Sequence, residues 1–455
     1  MIALLFLAWI TSAEAAALKL EQVQTRILQE LPLVLEAQEK WRAAQGDARS
    51  QEGNFDYKLK AKTQNQIETK YDNQIWEARL ERQTPYWGSQ LFAGHRAGTG
   101  LFATYDGKYE TSSVGEMFAG VEVPLLRNRV MDEFRLEARR AQLLQELSRI
   151  EYHQKSLELV MKGSEVYWKW VLSGLKLRIF EELKKTAEER QGFLEKKVRA
   201  GDTGEIRLVD NRRTLNKRNA DVVKGEREFE QATLALELYL GRRPDRSELP
   251  AQIELSTDHT EAPREADRQQ LPFFQVIDME RAILGVEKDF ARSQRLPELK
   301  LALEGSRDVG RMPTLSGRDQ IRVGAMLEIP IENRKALGKI DSVEAKTTAL
   351  ERRTRWLMSE WETRVEQNAV ALTTTRKQLK LQDAELADTA RMARAEIIRW
   401  NQGDSDVFFV NIREQDEAEA RMRLIEMQAL HEVMVIERQG LDGELVRRVR
   451  STLAN

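Results

Sequence analysis

Val121-Glu122-Val123-Pro124-Leu125-Leu126-Arg127-Asn128 returns in outline as Leu327-Glu328-Ile329-Pro330-Ile331-Glu332-Asn333-Arg334. Each copy closes a short segment of alternating apolar and polar residues, and each opens a long charged stretch with helical spacing. Each long stretch ends in a second matched pair, Ala200-Gly201-Asp202-Thr203 and Gln402-Gly403-Asp404-Ser405. Strand, proline, long helix, glycine turn and returning helix therefore occur twice in the same order. A repeated unit of this size predicts a pseudo-symmetric object whose function lies in its shape.

The alternating segments come in two pairs, within 54–124 and 297–330. Phe55, Tyr57, Leu59 and Ala61 alternate with Asp56, Lys58, Lys60 and Lys62, and Leu299, Leu301 and Leu303 with Lys300, Ala302 and Glu304. Val121 and Val123 flank Glu122, while Ile321, Val323, Ala325, Leu327 and Ile329 flank Arg322 and Glu328. On strands this places apolar groups on one face and charges on the other. Four principal strands follow. Between the first two, Glu68 to Ser112 is rich in aromatic residues and glycine, which predicts a long excursion with a further strand near Leu101 to Tyr105. Such alternation fits a membrane β-barrel with a wet interior and equally a half-buried soluble sheet. Four short strands cannot close a transmembrane barrel alone, so the membrane reading requires several copies.

After Pro124 the period becomes helical. Leu136, Leu143, Ile150 and Leu157 recur every seventh residue, as do Met358, Val365, Leu372, Leu379, Leu386 and Ala393 in the second half. The returning segments do the same, through Leu208, Leu215, Val222, Phe229 and Leu236, and through Ala420, Met427, Met434 and Leu441. A sustained seven-residue repeat predicts coiled-coil packing. The expected long helices are 125–200 and 331–402, and the return helices 205–241 and 406–450. A helix over 125–200 is about 110 Å long, and the return helices about 55 to 65 Å. Leu18 to Arg49 and Ala266 to Ser293 are expected to be helices covering the remainder. The repeats are 16–241 and 264–450, joined by a proline-bearing linker at 242–263 and followed by a tail at 451–455.

The 455 residues balance 72 basic against 74 acidic side chains, for a net charge of −2, so no basic field points to nucleic acid. A mean hydropathy of −0.56 is too polar for a bundle of membrane helices. The chain has no cysteine, which removes disulfides, thiolate metal sites and lipid attachment at an N-terminal cysteine. Ile2 to Ile10 is an apolar core followed by Ala13-Glu14-Ala15, the pattern of an export signal over 1–15. No basic residue precedes that core, and a buried N-terminal helix is the other reading. His95, His153, His259 and His431 are far apart in sequence, with no metal-ligand spacing. No phosphate loop or nucleophile elbow is present. No catalytic residue, cofactor or metal is expected.

With these residues in view, the chain resembles the outer membrane efflux protein family, the TolC-like exit ducts. The resemblance covers the mature chain. It rests on the doubled order, on PLLRNR at 124–129 and IPIENRKA at 329–336, and on VRAGDTGEIRLVDNRRTL at 198–215 and RWNQGDSDVFFVNIREQ at 399–415. It implies a homotrimer in which each subunit gives four strands to a twelve-stranded barrel and its helices to a periplasmic tunnel. Pro124 and Pro330 then mark the strand-to-helix junctions. Lys58, Lys60, Glu122, Lys300, Arg322 and Glu328 are implied to face the lumen, and Phe55, Tyr57, Val121, Val123, Leu301, Val323 and Leu327 the lipid. The aromatic excursion is implied to lie at or beyond the outer interface. Gly201, Asp202, Thr203, Gly403, Asp404 and Ser405 are implied to form the periplasmic tip, where an adaptor docks and the tunnel closes in the family; the glycines there can adopt positive φ and the polar residues can cap the following helix. Asp210 matches a family position for a carboxylate at the constriction, but Phe409 and Ile412 stand at the comparable second positions, leaving Asp404 and Asp406 as substitutes. The implied function is passive conduction in the outer membrane, with a periplasmic adaptor and an inner-membrane pump as partners. The competing reading is an exported periplasmic coiled-coil scaffold or adaptor.

Overall fold

The computed structural model describes residues 17–67, 70–103, 109–256, 268–310 and 319–454. The expected signal segment, His259, Pro263, Tyr105 and the loop at 311–318 lie outside them. The chain forms two compact units, one of 1–37, 152–274 and 358–455, the other of 38–151 and 275–357.

The second unit is built on one antiparallel sheet of six strands in sequential order. These are β1 (Tyr57–Gln66), β2 (Asn73–Gln83), β3 (Gln90–Gly100), β4 (Gly115–Pro124), β5 (Glu298–Val309) and β6 (Asp319–Glu328). Four strands were expected. The four principal segments lie in β1, β4, β5 and β6, and the aromatic excursion supplies the β2–β3 hairpin. Residues 73–83 and 90–100 of the excursion therefore belong to the sheet. Leu101 to Ala103 are not strand. Phe55 is not in β1 either, but ends a single 3₁₀ turn at Gly53–Phe55.

The helices, numbered along the chain, are α1 (Leu20–Glu30), α2 (Pro32–Glu52), α3 (Glu133–Arg199), α4 (Glu205–Leu240), α5 (Pro272–Ser293), α6 (Arg334–Gln402), α7 (Val407–Leu441) and α8 (Glu444–Ala454). The single helix expected over Leu18 to Arg49 is broken at Leu31, which is extended because Pro32 follows. The second return helix is also divided. Gly443 adopts φ +81 and the Asp442 carboxylate accepts from the Glu444 N–H at 2.9 Å, starting α8 afresh. At 67 residues α3 is about 100 Å long, shorter than the expected helix because it begins at Glu133, not Leu125.

Residues 125–132 are held otherwise. The N–H groups of Leu125 and Arg127 donate to the carbonyls of Leu299 and Pro297, at 2.7 and 3.1 Å. Asn128 adopts φ +67, and Asn333 in the matching motif φ +53. Asparagine tolerates this left-handed conformation better than most side chains. The Arg135 guanidinium then donates to the carbonyls of Asn128 and Arg129 and to Asp132, whose carboxylate accepts from the Arg135 N–H at 2.9 Å.

In the first unit, α1 packs on α4 and α8, and α4 on α7. Its core is apolar and includes Val23, Ile27, Trp170, Val171, Leu236, Leu240 and Leu445. The seven-residue positions in both units are buried or half-buried, including Ile150, Leu372, Leu379 and Ala393, as coiled-coil packing requires.

Candidate functional site

Two regions carry the geometry relevant to function, each within one unit. The first is the sheet, whose ladder register sorts its side chains into two faces. Leu59 faces Leu80, Leu80 faces Ala93, Leu91 faces Val121, Val121 faces Leu303 and Leu303 faces Val323. Tyr57, Trp76, Val123, Leu301 and Leu327 share this apolar face by the two-residue period. It is uncovered: Leu59 is 75% exposed, Ile321 78% and Val323 75%. The strands have 10 to 12 residues, at or just above the 9–11 that a tilted strand uses to cross a bilayer.

The opposite face carries Lys58, Lys60, Glu122, Lys300, Arg322 and Glu328 together. It also carries charges that the sequence reading did not single out. Arg96 on β3 pairs with Glu116 on β4, and donates to Glu304 on β5 at 2.9 Å. Arg322 on β6 reaches the same two carboxylates at 2.7 and 3.1 Å. Two arginines and two glutamates thus neutralise one another across four strands, which lets Glu116 stay only 3% exposed at its side chain. Beside them Arg79 lies 3.6 Å from both Glu81 and Glu122, and Lys60 pairs with Glu81.

Two aromatic rings interrupt the charges. Phe92 stands opposite Gly120 and Phe118 opposite Gly94, and each ring lies where the glycine's missing Cβ would be. Arg79 and Arg96 sit over these rings at 4.0 and 5.0 Å from their centroids. Phenylalanine on the polar face breaks the alternation of β3, which hid that strand. In β2 the alternation of Trp76, Ala78 and Leu80 with Glu77, Arg79 and Glu81 was a strand signal that the sequence reading passed over, and it carried no information on the strand's place in this sheet. Where this face approaches Pro124 and Pro330, a hollow of about 1220 Å³ is lined by Glu122, Arg127, Lys300, Glu328, Glu332 and Arg334 among others.

The second region is the pair of glycine turns in the first unit. Gly201 and Gly403 adopt φ +78 and +88. Their N–H groups donate to Val198 and Trp400, and those of Asp202 and Asp404 to Lys197 and Arg399, both at 2.9 Å. The two helix ends are thus closed by the same pair of bonds, the second reaching back five residues. Capping of the next helix differs from expectation. Gly204 precedes α4 without a side-chain bond, and Asp406 rather than Asp404 or Ser405 caps α7, accepting from the Phe408 N–H at 3.0 Å. Ser405 instead donates to Glu396. Thr203 accepts from Arg207 at 3.4 Å, and Arg207 also bridges to Asp406 at 2.8 Å, tying one turn to the other. Asp210 is half-buried, 4.0 Å from Arg213.

Just beyond the turns lies a buried ionic cluster. Glu414 on α7 pairs with Arg190 on α3 and with Arg218 on α4 at 2.9 Å, and Arg190 also donates to Asn411 at 2.7 Å. The Arg218 and Glu414 side chains are 2% and 8% exposed. These partners are far apart in sequence, so spacing gave no signal of them. Ile206, Val209, Phe408 and Phe409, all on the first turns of α4 and α7, are exposed.

Among the described residues no group of three His, Asp or Glu side chains could hold a metal ion. No described helix is long and apolar enough to cross a membrane. No protein-family model matches the chain, and no curated protein sequence matches it significantly. Solved structures do. The CmeC outer membrane channel of Campylobacter jejuni is 13% identical with a TM-score of 0.68, over 95% of this chain and 89% of that one. The outer membrane protein VceC of Vibrio cholerae is 13% identical with a TM-score of 0.67, over 93% and 96%. The open state of the MtrE outer membrane channel of Neisseria gonorrhoeae is 13% identical with a TM-score of 0.66, over 93% and 88%.

Proposed function

We propose, from a chain that has the fold of outer membrane efflux channels, that this protein is itself such a channel. It conducts substrates passively from a periplasmic adaptor and inner-membrane pump to the exterior. The observation that carries this reading is the sheet: one face apolar and uncovered over strands of bilayer-spanning length, the other a neutralised ionic lattice. A soluble sheet would cover its apolar face with helices or a second sheet. Three copies assemble the conduit, with Lys58, Lys60, Glu122, Lys300, Arg322 and Glu328 towards the lumen and Tyr57, Val121, Leu301 and Val323 towards lipid.

The glycine turns form the periplasmic tip. Gly201, Asp202, Thr203, Asp210, Gly403, Asp404, Ser405 and Asp406 belong to the surface that an adaptor engages and that closes the tunnel. The exposed Ile206, Val209, Phe408 and Phe409 beside them support a docking role. The adaptor opens the tip by binding its open arrangement more tightly than the closed one. The mass of the mature chain by light scattering, with and without detergent, tests the whole reading. A detergent-dependent trimer that forms ion-conducting pores in planar bilayers is expected. A monomer soluble without detergent would instead favour a periplasmic scaffold.

A further inference from the structure

We infer that the wall of the assembled channel contains eighteen strands, closed by pairing β6 of one copy with β1 of the next. This rests on the proposed three-copy channel. Each copy supplies six strands in one sheet whose order ends at β1 and β6. Six strands cannot close on themselves, because even eight leave an interior only wide enough for side chains. In a bilayer the outward N–H and C=O groups of both end strands must be satisfied, and only another strand does so.

The two edges suit each other. Both have 10 residues and neither contains proline. Almost every residue of each is exposed, so neither is covered by another part of its own unit. All five ladders are antiparallel, so β1 and β6 run in opposite directions, and joining them continues the pattern. Keeping polar groups on one face requires even-numbered residues of β1 to meet even-numbered residues of β6. The register that sets Lys58 beside Glu328 also sets Leu59 beside Leu327 and Ala61 beside Ala325. Glu328 is 63% exposed at its side chain, and the polar face of β1 carries three lysines, Lys58, Lys60 and Lys62.

The β2–β3 hairpin is what enlarges the wall. Inserting two strands between β1 and β4 preserves alternating direction, so closure is unaffected while each copy's share rises from four strands to six. Barrel diameter grows roughly linearly with strand number, so the wall is about 1.5 times as wide as one of twelve strands. The insertion also brings Arg79, Glu81, Phe92 and Arg96 into the lumen face.

The absence of native cysteine makes cross-linking clean. Leu59→Cys is combined in turn with Ala325→Cys, Leu327→Cys and Ile329→Cys, which covers a register slip of two residues either way. After oxidation in membranes, one combination is expected to give a ladder ending at three chains on a denaturing gel. Reductant should abolish the ladder, and each single variant should lack it. Imaging of single wild-type particles in detergent should then count eighteen strands. A detergent-stable trimer with no ladder from any combination overturns the edge pairing but leaves the channel reading standing. A wall of twelve strands with β2 and β3 outside it overturns the count in the same way. A water-soluble monomer overturns both.

Discussion

Glu414 answers two buried arginines at once, so its loss is expected to be costly to the first unit. Arg190 and Arg218 both point at its carboxylate. Glu414→Gln keeps the volume but leaves two cations without their anion in a desolvated site, an expected loss of about 3–5 kcal/mol. Denaturant unfolding of the detergent-solubilised protein measures it, and an unchanged midpoint would show that water reaches the cluster. Tyr167 gives a second test at this scale. Its hydroxyl donates to the Leu18 carbonyl at 2.8 Å, and burial pushes its pKa up to about 12. An unfolded tyrosine ionises near 10, so this group's contribution is intact below pH 10 and is lost as pH rises to about 12. Ultraviolet titration should find Tyr167 among the last tyrosines to ionise, and Tyr167→Phe should remove that late step.

At the scale of elements, the junction between strand and helix was only half legible. The matched Pro124 and Pro330 announced it, but the helices start later, because Asn128 and Asn333 turn left-handed first. The asparagines stood in both quoted motifs, so a signal was available: asparagine enters the left-handed region more readily than most side chains. Asn128→Gly is expected to be tolerated, since glycine adopts positive φ freely. Asn128→Val should cost about 1–2 kcal/mol through its Cβ clash. Equal stability of the two variants would mean that Arg135 and Asp132, not the backbone conformation, set the junction. The glycine turns were easier to read, because glycine at the end of a long helix has one dominant structural use. Which polar residue then caps the next helix was not readable, as several adjacent candidates compete within a few residues.

For the whole molecule, the two faces of the sheet make opposite predictions for the same chemical change. Leu303→Arg places a charge on the apolar face and should lower folding stability in bilayers by about 2–4 kcal/mol if it lies near the midplane. Ala302→Arg, one residue away on the polar face, should leave folding nearly unchanged and, in the proposed channel, shift ion selectivity towards anions. Refolding yields into lipid vesicles and reversal potentials read the two effects. Equal damage from both substitutions would mean that the sheet has no lipid-facing side.

The sequence by itself determined the doubled order of strand, long helix, turn and return. That order is written in local periods and in punctuation by proline and glycine, which depend only on neighbours along the chain. It also determined which face of β1, β4, β5 and β6 is apolar, because a strand's period is fixed by its geometry. Only the tertiary structure decided that the aromatic segment adds two strands to the same sheet. β3 carries Phe92 and Gly94 where its period calls for polar groups, and those residues make sense only against Gly120 and Phe118 across the ladder. The ionic clusters were likewise decided in three dimensions. Arg96 and Glu304, or Arg190 and Glu414, are about two hundred residues apart, so nothing in local spacing could bring them together.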